Sequence, residues 1–236
     1  VSLWFKTTDN SNLTTLIDTG ISPGWILYVE NGFLDLAYYS FPNNGDSFGS
    51  TNIADGLWHN VTVVIDNPNG QAKVYLDGNS TAEITHNFTA NTSVVSFTIN
   101  WHIGKINANI RYFNGSIDQV RIFNKALSTG EVTTLYNETA CTPAACTSGT
   151  TNTLQVLGDN SCVATYTLDG TPADLSGNYN GVQTDVTYPQ GYFDLAGSFN
   201  GTSSYVNMGN SSGLKLLGSW GISCWVKFNS VSGLQR

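Results

Sequence analysis

Asn60-Val61-Thr62-Val63-Val64-Ile65-Asp66 alternates with a period of two: Val61, Val63 and Ile65 share one face, and Asn60, Thr62 and Val64 share the other. This pattern predicts a half-buried strand with Asn60 and Thr62 facing outward. Asn67-Pro68-Asn69-Gly70 is turn-forming sequence. The chain then returns through Ala72, Val74 and Leu76, alternating with Lys73 and Tyr75, to a second turn at Asp77-Gly78. Upstream, Asn31-Gly32 separates apolar stretches at residues 26–29 and 33–39, and Asn-Gly tolerates the positive φ angles of a type I′ hairpin turn. One short helix is predicted, opened by the Ser128-x-x-Glu131 capping pattern and ending near Asn137. Many strands, turn signals every eight to twelve residues or so and one helix predict an all-β antiparallel sandwich of two sheets.

The composition narrows the function. The chain has 236 residues, 9 Lys and Arg against 17 Asp and Glu, and a formal net charge of -8. No cationic stripe is available for a phosphate backbone, so nucleic acid is not an expected partner. No apolar run reaches the roughly 18 residues of a membrane span. Few charges among abundant Ser, Thr, Asn and Gly predict an extracellular or surface-exposed protein.

Residues 138–161 shift to Thr, Ala, Ser, Gly and Cys with little periodicity and read as a linker between residues 1–137 and 162–236. The two flanks share a strand: Val1-Ser2-Leu3-Trp4-Phe5-Lys6 matches Ile222-Ser223-Cys224-Trp225-Val226-Lys227 in apolar, small and basic character. Further runs carry a family resemblance. Gly56-Leu57-Trp58-His59-Asn60-Val61, Val74-Tyr75-Leu76-Asp77-Gly78, and Phe113-Asn114-Gly115-Ser116-Ile117-Asp118-Gln119-Val120-Arg121-Ile122-Phe123 followed by Ala126-Leu127-Ser128 resemble the later part of a laminin G-like, concanavalin A-like jelly roll. Tyr166-Thr167-Leu168-Asp169-Gly170, Asp174-Leu175-Ser176-Gly177-Asn178, Phe199-Asn200-Gly201 and the Trp225 strand resemble its opening part. The order is reversed. Either the chain is a circular permutant closing into one sandwich, or it is one period of a tandem array completed by neighbouring segments. The duplicated strand favours the array, because a permutant needs that strand once.

Beside Asp118 the inward phase slips, since Ile117 and Val120 are three apart while Val120 and Ile122 are two apart, and this predicts a β-bulge. The resemblance implies that Asp118 binds Ca²⁺ with Asp174 and the carbonyls around Asn200 and Gly201, hard oxygen donors that suit this ion; otherwise Asp118 pairs with Arg121 or caps a turn. His59, His86 and His102 lack zinc-ligand spacing. Cys141, Cys146, Cys162 and Cys224 form an even set that permits two disulfides in any of three connectivities; pairing Cys141 with Cys146, the shortest loop, would staple the linker and leave Cys162 to reach Cys224. Nine Asn-x-Ser/Thr sequons, at Asn12, Asn60, Asn79, Asn87, Asn91, Asn114, Asn137, Asn200 and Asn210, are permissive glycosylation sites. Tyr38 and Tyr39 are adjacent, so strand phase turns one ring outward as a candidate ligand contact. The closely spaced acidic strand of laminarinase-like relatives is absent, as are a Gly-x-Ser-x-Gly elbow and a phosphate loop. The expectation is a non-catalytic structural or adhesive repeat of a larger surface protein, fibre or filament, partnered by copies of itself. A Ca²⁺-dependent carbohydrate-binding module is the alternative, and a glycoside hydrolase a more distant one.

Overall fold

The computed structural model describes residues 3–5, 13–20, 24–39, 45–90, 100–137, 157–214 and 220–227, the first and last of these by backbone alone. The strands are β1 (Leu3–Phe5), β2 (Thr14–Asp18), β3 (Gly24–Glu30), β4 (Phe33–Tyr39), β5 (Gly45–Phe48), β6 (His59–Asp66), β7 (Gln71–Leu76), β8 (Ile84–Asn87), β9 (His102–Ile103), β10 (Asn114–Phe123), β11 (Cys162–Tyr166), β12 (Val182–Thr184), β13 (Gly197–Asn200), β14 (Tyr205–Asn207) and β15 (Trp220–Lys227), with helix α1 (Thr129–Tyr136) between β10 and β11. An eight-stranded sheet runs β11-β10-β15-β1-β6-β7-β8 with β13 also on β10, and a seven-stranded sheet runs β12-β14-β9-β2-β3-β4-β5. Every registered strand pairing is antiparallel except that of β1 with β15.

The local signals act as their chemistry requires. Asn31 and Gly32 both take positive φ and close a two-residue hairpin that places Glu30 opposite Phe33. The side chain of Ser128 accepts from the Glu131 N–H while the Glu131 carboxylate accepts from the Ser128 N–H, and Asn137 caps the far end. The bulge also forms: the register of β10 on β15 shifts between Asp118 and Arg121, and Gln119 sits at φ +52°.

The two flanks of the linker share one core. Leu16, Trp25, Leu36, Val63, Val74, Ile117 and Val120 pack with Val163, Tyr166, Leu168, Val186, Phe199, Val206 and Leu214 between the sheets. Post-linker strands extend both sheets: β11 and β13 lie end to end along one edge of β10, and β14 extends the other sheet beside β9. Gly104 marks a close approach, since a Cβ there would lie 2.7 Å from the Phe199 ring. Burying residues of this size on both sides of the seam stabilises the closed sandwich by roughly 1.5–3 kcal/mol per large apolar side chain.

One expectation needs correcting. Strand β6 is buried on both faces, with Asn60 1% and Thr62 0% exposed. Helix α1 covers the outer side of this sheet, where Val132 and Leu135 pack with Val64, Tyr75, Phe123, Leu127 and Cys162. The cover arrives from residues about seventy positions downstream, which the alternation of residues 60–66 does not encode. The end of the linker is part of this packing: Leu157 rests on the same cluster, and the Asp159 carboxylate joins that of Glu131 on the Lys125 ammonium.

Candidate functional site

Asp118 occupies the gap where β13 ends and β11 begins along β10. It is fully buried, and its Oδ2 accepts from the backbone N–H groups of Tyr192 (3.2 Å) and Phe193 (3.1 Å), while Oδ1 has no hydrogen-bond partner. Burial, reinforced by the nearby Asp169, pushes its carboxyl well above the usual range, against the pull of those N–H donors. Arg121 does not pair with it through any described bond; its Nη2 donates to Gln119 Oε1 at 3.2 Å.

The other residues of the expected Ca²⁺ set are engaged elsewhere. Asp174 ties its own loop together, accepting through Oδ1 from the N–H groups of Thr165 and Ser176 and through Oδ2 from the Ser176 hydroxyl and the Tyr179 N–H. Asn200 Oδ1 accepts from the N–H groups of Thr202, Ser203 and Ser204, and Gly201 donates its N–H to the Phe113 carbonyl. Asn200 pairs with Asn114, four residues along β10 from Asp118 and so roughly 13 Å away along the strand. Among the described residues no three His, Cys, Asp or Glu side chains gather as a metal group. Of these residues Asp118 keeps a buried oxygen without a hydrogen-bond partner, while Asp174 and Asn200 serve their own loops.

The cysteines and sequons divide similarly. Cys162 pairs with Phe123 on one edge of β10, whereas Cys224 lies between the positions opposite Asp118 and Arg121 on the other. Two strand spacings, about 9.6 Å, separate them before any offset along the strand, which exceeds the reach of a disulfide of about 7 Å between Cα atoms. In this register the backbone places Cys162 and Cys224 on opposite flanks of β10, which does not favour a bridge between them. Cys141 and Cys146 lie outside the described residues. Asn60 is buried and unsuited to carry a glycan, Asn114 is half-buried, and Asn79, Asn87, Asn137, Asn200 and Asn210 are exposed; Asn12 and Asn91 lie outside the described residues.

The adjacent tyrosines split as strand phase requires. Tyr38 points into the core and stacks on Phe88 at 4.5 Å between ring centroids, while Tyr39 lies on the outer face of the seven-stranded sheet. That face holds the chemistry that the sequence reading missed. Ile26, Tyr28, Ala37 and Ile106 form its apolar patch, with Leu13 and Tyr39 packed beside it. Arg111 donates from Nη1 to Tyr28 Oη at 2.9 Å, and the Lys105 ammonium sits 4.0 Å above the centre of the Tyr205 ring. Asp18 clamps the loop after β9 to the sheet, its two oxygens accepting from the N–H groups of Gly20 (2.7 Å) and Asn107 (2.8 Å).

Asp35 is a strongly perturbed carboxyl on that face. It is 2% exposed, lies opposite Tyr28 on β3 and Phe48 on β5, and its Oδ1 has no hydrogen-bond partner. Glu30 and Asp46 occupy the two diagonal positions, each about 7–8 Å away by sheet geometry. Burial, then the charges of Asp46 and Glu30, raise the Asp35 carboxyl to about 7. The available signal was a carboxylate at an outward position in an otherwise apolar strand. Tyr28 and Asp35 are buried, so this face presents to solvent the partly exposed Tyr39 and Glu30 and the exposed Asp46 and Arg111, carboxylates that accept hydrogen bonds from hydroxyl groups and a guanidinium that donates to them.

A comparison with protein families finds one that matches residues 1–133, described as the concanavalin A-like lectin/glucanase superfamily, laminin G type. Neither the curated proteins nor the solved structures give a match. No described helix is long and apolar enough to cross a membrane. The matched stretch is more than half of the chain and contains β1 to β10 and most of α1, so the two-sheet sandwich built here identifies the chain as a member of the concanavalin A-like lectin/glucanase superfamily.

Proposed function

We propose that the chain is a non-catalytic, extracellular structural and adhesive unit of a larger surface assembly, in which post-linker strands complete a laminin G-like sandwich. The observation that carries this reading is the shared core: β11, β13 and β14 and their side chains supply what residues 13–137 lack on two sheet edges. Without them, one edge of β10, one edge of β9 and the apolar faces of Ile117 and Val120 lose their cover, a combination that drives association. The same docking made between chains yields an assembly of repeating units. Light scattering with electron microscopy over a concentration series tests it: oligomers or filaments of a repeating unit are expected, and a strict monomer at millimolar concentration would overturn the reading.

A second reading has its own observation. The outer face of the seven-stranded sheet, where Tyr39, Glu30, Asp46 and Arg111 reach solvent, suits a carbohydrate, whose ring stacks on an aromatic face and whose hydroxyls bond to charged groups. A glycan array read with and without chelator tests it, with Tyr39→Ala and Arg111→Ala as the variants expected to lose binding. Release of reducing ends that disappears in Asp35→Asn would instead make this face hydrolytic.

A further inference from the structure

The outer face of the seven-stranded sheet carries a diagonal row of three carboxylates. Leu34 and Leu36 of β4 point into the core, so Asp35 between them points outward. Glu30 of β3 and Asp46 of β5 share that face, one diagonal step to either side of Asp35. Two such steps make a row on the order of 15 Å long. Its ends meet water, since Glu30 is partly exposed and Asp46 exposed. Its middle does not: Asp35 is 2% exposed, and its Oδ1 has no hydrogen-bond partner. An unpaired acceptor in such a place is costly to the fold, and more so when it is charged.

Two aromatic rings border the row. Phe48 is registered opposite Asp35, two residues from Asp46 on the edge strand β5, and is 58% exposed. Along the strand direction it stands midway between the levels of Glu30 and Asp46. Tyr39 is half-buried at the end of β4, where burial and then the Asp46 charge raise its hydroxyl. Against the three carboxylates stands the Arg111 guanidinium, which donates to Tyr28 Oη. The row therefore keeps an excess of negative charge next to open ring faces, a combination that attracts an organic cation.

We infer that this row binds the ammonium groups of an amino-sugar oligomer, with sugar rings lying on Phe48 and Tyr39, Glu30 and Asp46 accepting hydrogen bonds from ammonium groups, and Asp35 beneath them as a buried counter-charge. The assignment rests on the carbohydrate reading given above and names the ligand class for it. A neutral glycan would leave the charge of the row unanswered, and an acidic one would be repelled by it and by a chain of net charge -8. A lysine-rich peptide answers the charge, but a ring set between carboxylates matches a sugar ring set between amino groups. Asp35 then links binding to a proton. Facing it are Tyr28 and Glu30 from β3, Asp46 from β5 and Arg111 from the loop after β9, and burial followed by the two carboxylates holds it near 7. A cation bound above it favours the ionised form, so the proton leaves as the ligand arrives.

Titration calorimetry of the full chain tests the assignment with three probes: a glucosamine oligomer, its fully N-acetylated counterpart of equal length, and oligolysine of matched charge. The glucosamine oligomer is expected to bind about tenfold more tightly than either of the others, with affinity falling as salt rises. Equal or tighter binding of the N-acetylated oligomer would overturn the assignment and leave the carbohydrate reading standing. Oligolysine binding as tightly as the amino sugar would overturn it in favour of a basic peptide. No binding of either sugar would sink the carbohydrate reading and the assignment with it. Asp46→Asn and Phe48→Ala, both at exposed positions, should each weaken the glucosamine oligomer about tenfold; unchanged affinity in both would place the ligand elsewhere and overturn the assignment. Asp35→Asn keeps the shape of the side chain and removes its charge. Repeating the titration near pH 7 in two buffers of different ionisation enthalpy counts protons, and the parent should release more of them on binding than Asp35→Asn. Equal counts would overturn the part given to Asp35.

Discussion

The outer faces of the two sheets are finished in opposite ways. On the eight-stranded sheet, α1 lays Val132 and Leu135 over Val64, Tyr75 and Phe123, and the charged groups, Lys125, Glu131 and Asp159, pair at the margin. Over the seven-stranded sheet the described residues place no helix; the loop after β9 brings Ile106, and the burial there includes Asp18, Asp35, His102 and Lys105. One face is capped by a helix, while the other combines an apolar patch with buried ionisable groups whose proton affinities are displaced. The helix-covered side is braced, whereas the other side keeps titratable groups beside its apolar patch.

The largest effect that separates the two faces is expected at the helix. Leu135→Ala should destabilise the chain by about 2–5 kcal/mol, since it leaves a cavity under α1, and a thermal melt at fixed pH measures it. The loss should not depend on pH, because no titrating group is removed. Asp35→Asn probes the opposite face and should behave in the reverse manner. The folded-state value of Asp35, about 7, lies above its ordinary value of 3.8, so the stability that it contributes is complete below about pH 4 and is lost as pH rises through 7. The variant should therefore gain stability at pH 8, on the order of 2 kcal/mol against a ceiling of about 4, and gain nothing at pH 4. Equal melting shifts at both pH values would dissolve the contrast between the faces.

The smallest effect sharpens the comparison at the margin of the braced sheet. His59 Nδ1 lies 2.9 Å from Asp77 Oδ2 and its Nε2 3.1 Å from Asp55 Oδ1. Burial alone would lower its pKa, yet the two carboxylates outweigh burial and raise it above 6.5. The contribution is therefore full below about pH 6 and fades as pH rises through the raised value. Because Asp55 and Asp77 are partly exposed, solvent screening limits it to about 0.5–1 kcal/mol. Titrating the melting temperature of His59→Gln against the parent should remove that slope and leave the one from Asp35.

The sequence was most legible where a residue acts on its own neighbours. Asn31-Gly32 turned the β3–β4 hairpin, Ser128 and Glu131 opened the helix, and the phase slip beside Asp118 became a bulge. Asn60 was read outward because alternation reports two faces and not what lies beyond each; the helix that covers Val64 on that face belongs to a distant stretch. Asp35 escaped notice for a related reason, since its burial depends on Tyr28 and Phe48 from strands on both sides and its displaced proton affinity on Glu30 and Asp46. Asp174 and Asn200 satisfy backbone N–H groups of their own turns, a local use of their oxygens that residue type alone does not distinguish from a ligand role.

Strand β10 pairs with β11 and β13 along one edge and with β15 along the other, and all three come from the far side of the linker. A nick anywhere in residues 138–156 would cut the covalent thread without cutting those ladders. The two pieces would stay together as a reassociating pair, and the continuity of the polypeptide, in this sandwich, is a convenience of synthesis more than a condition of the closed shape.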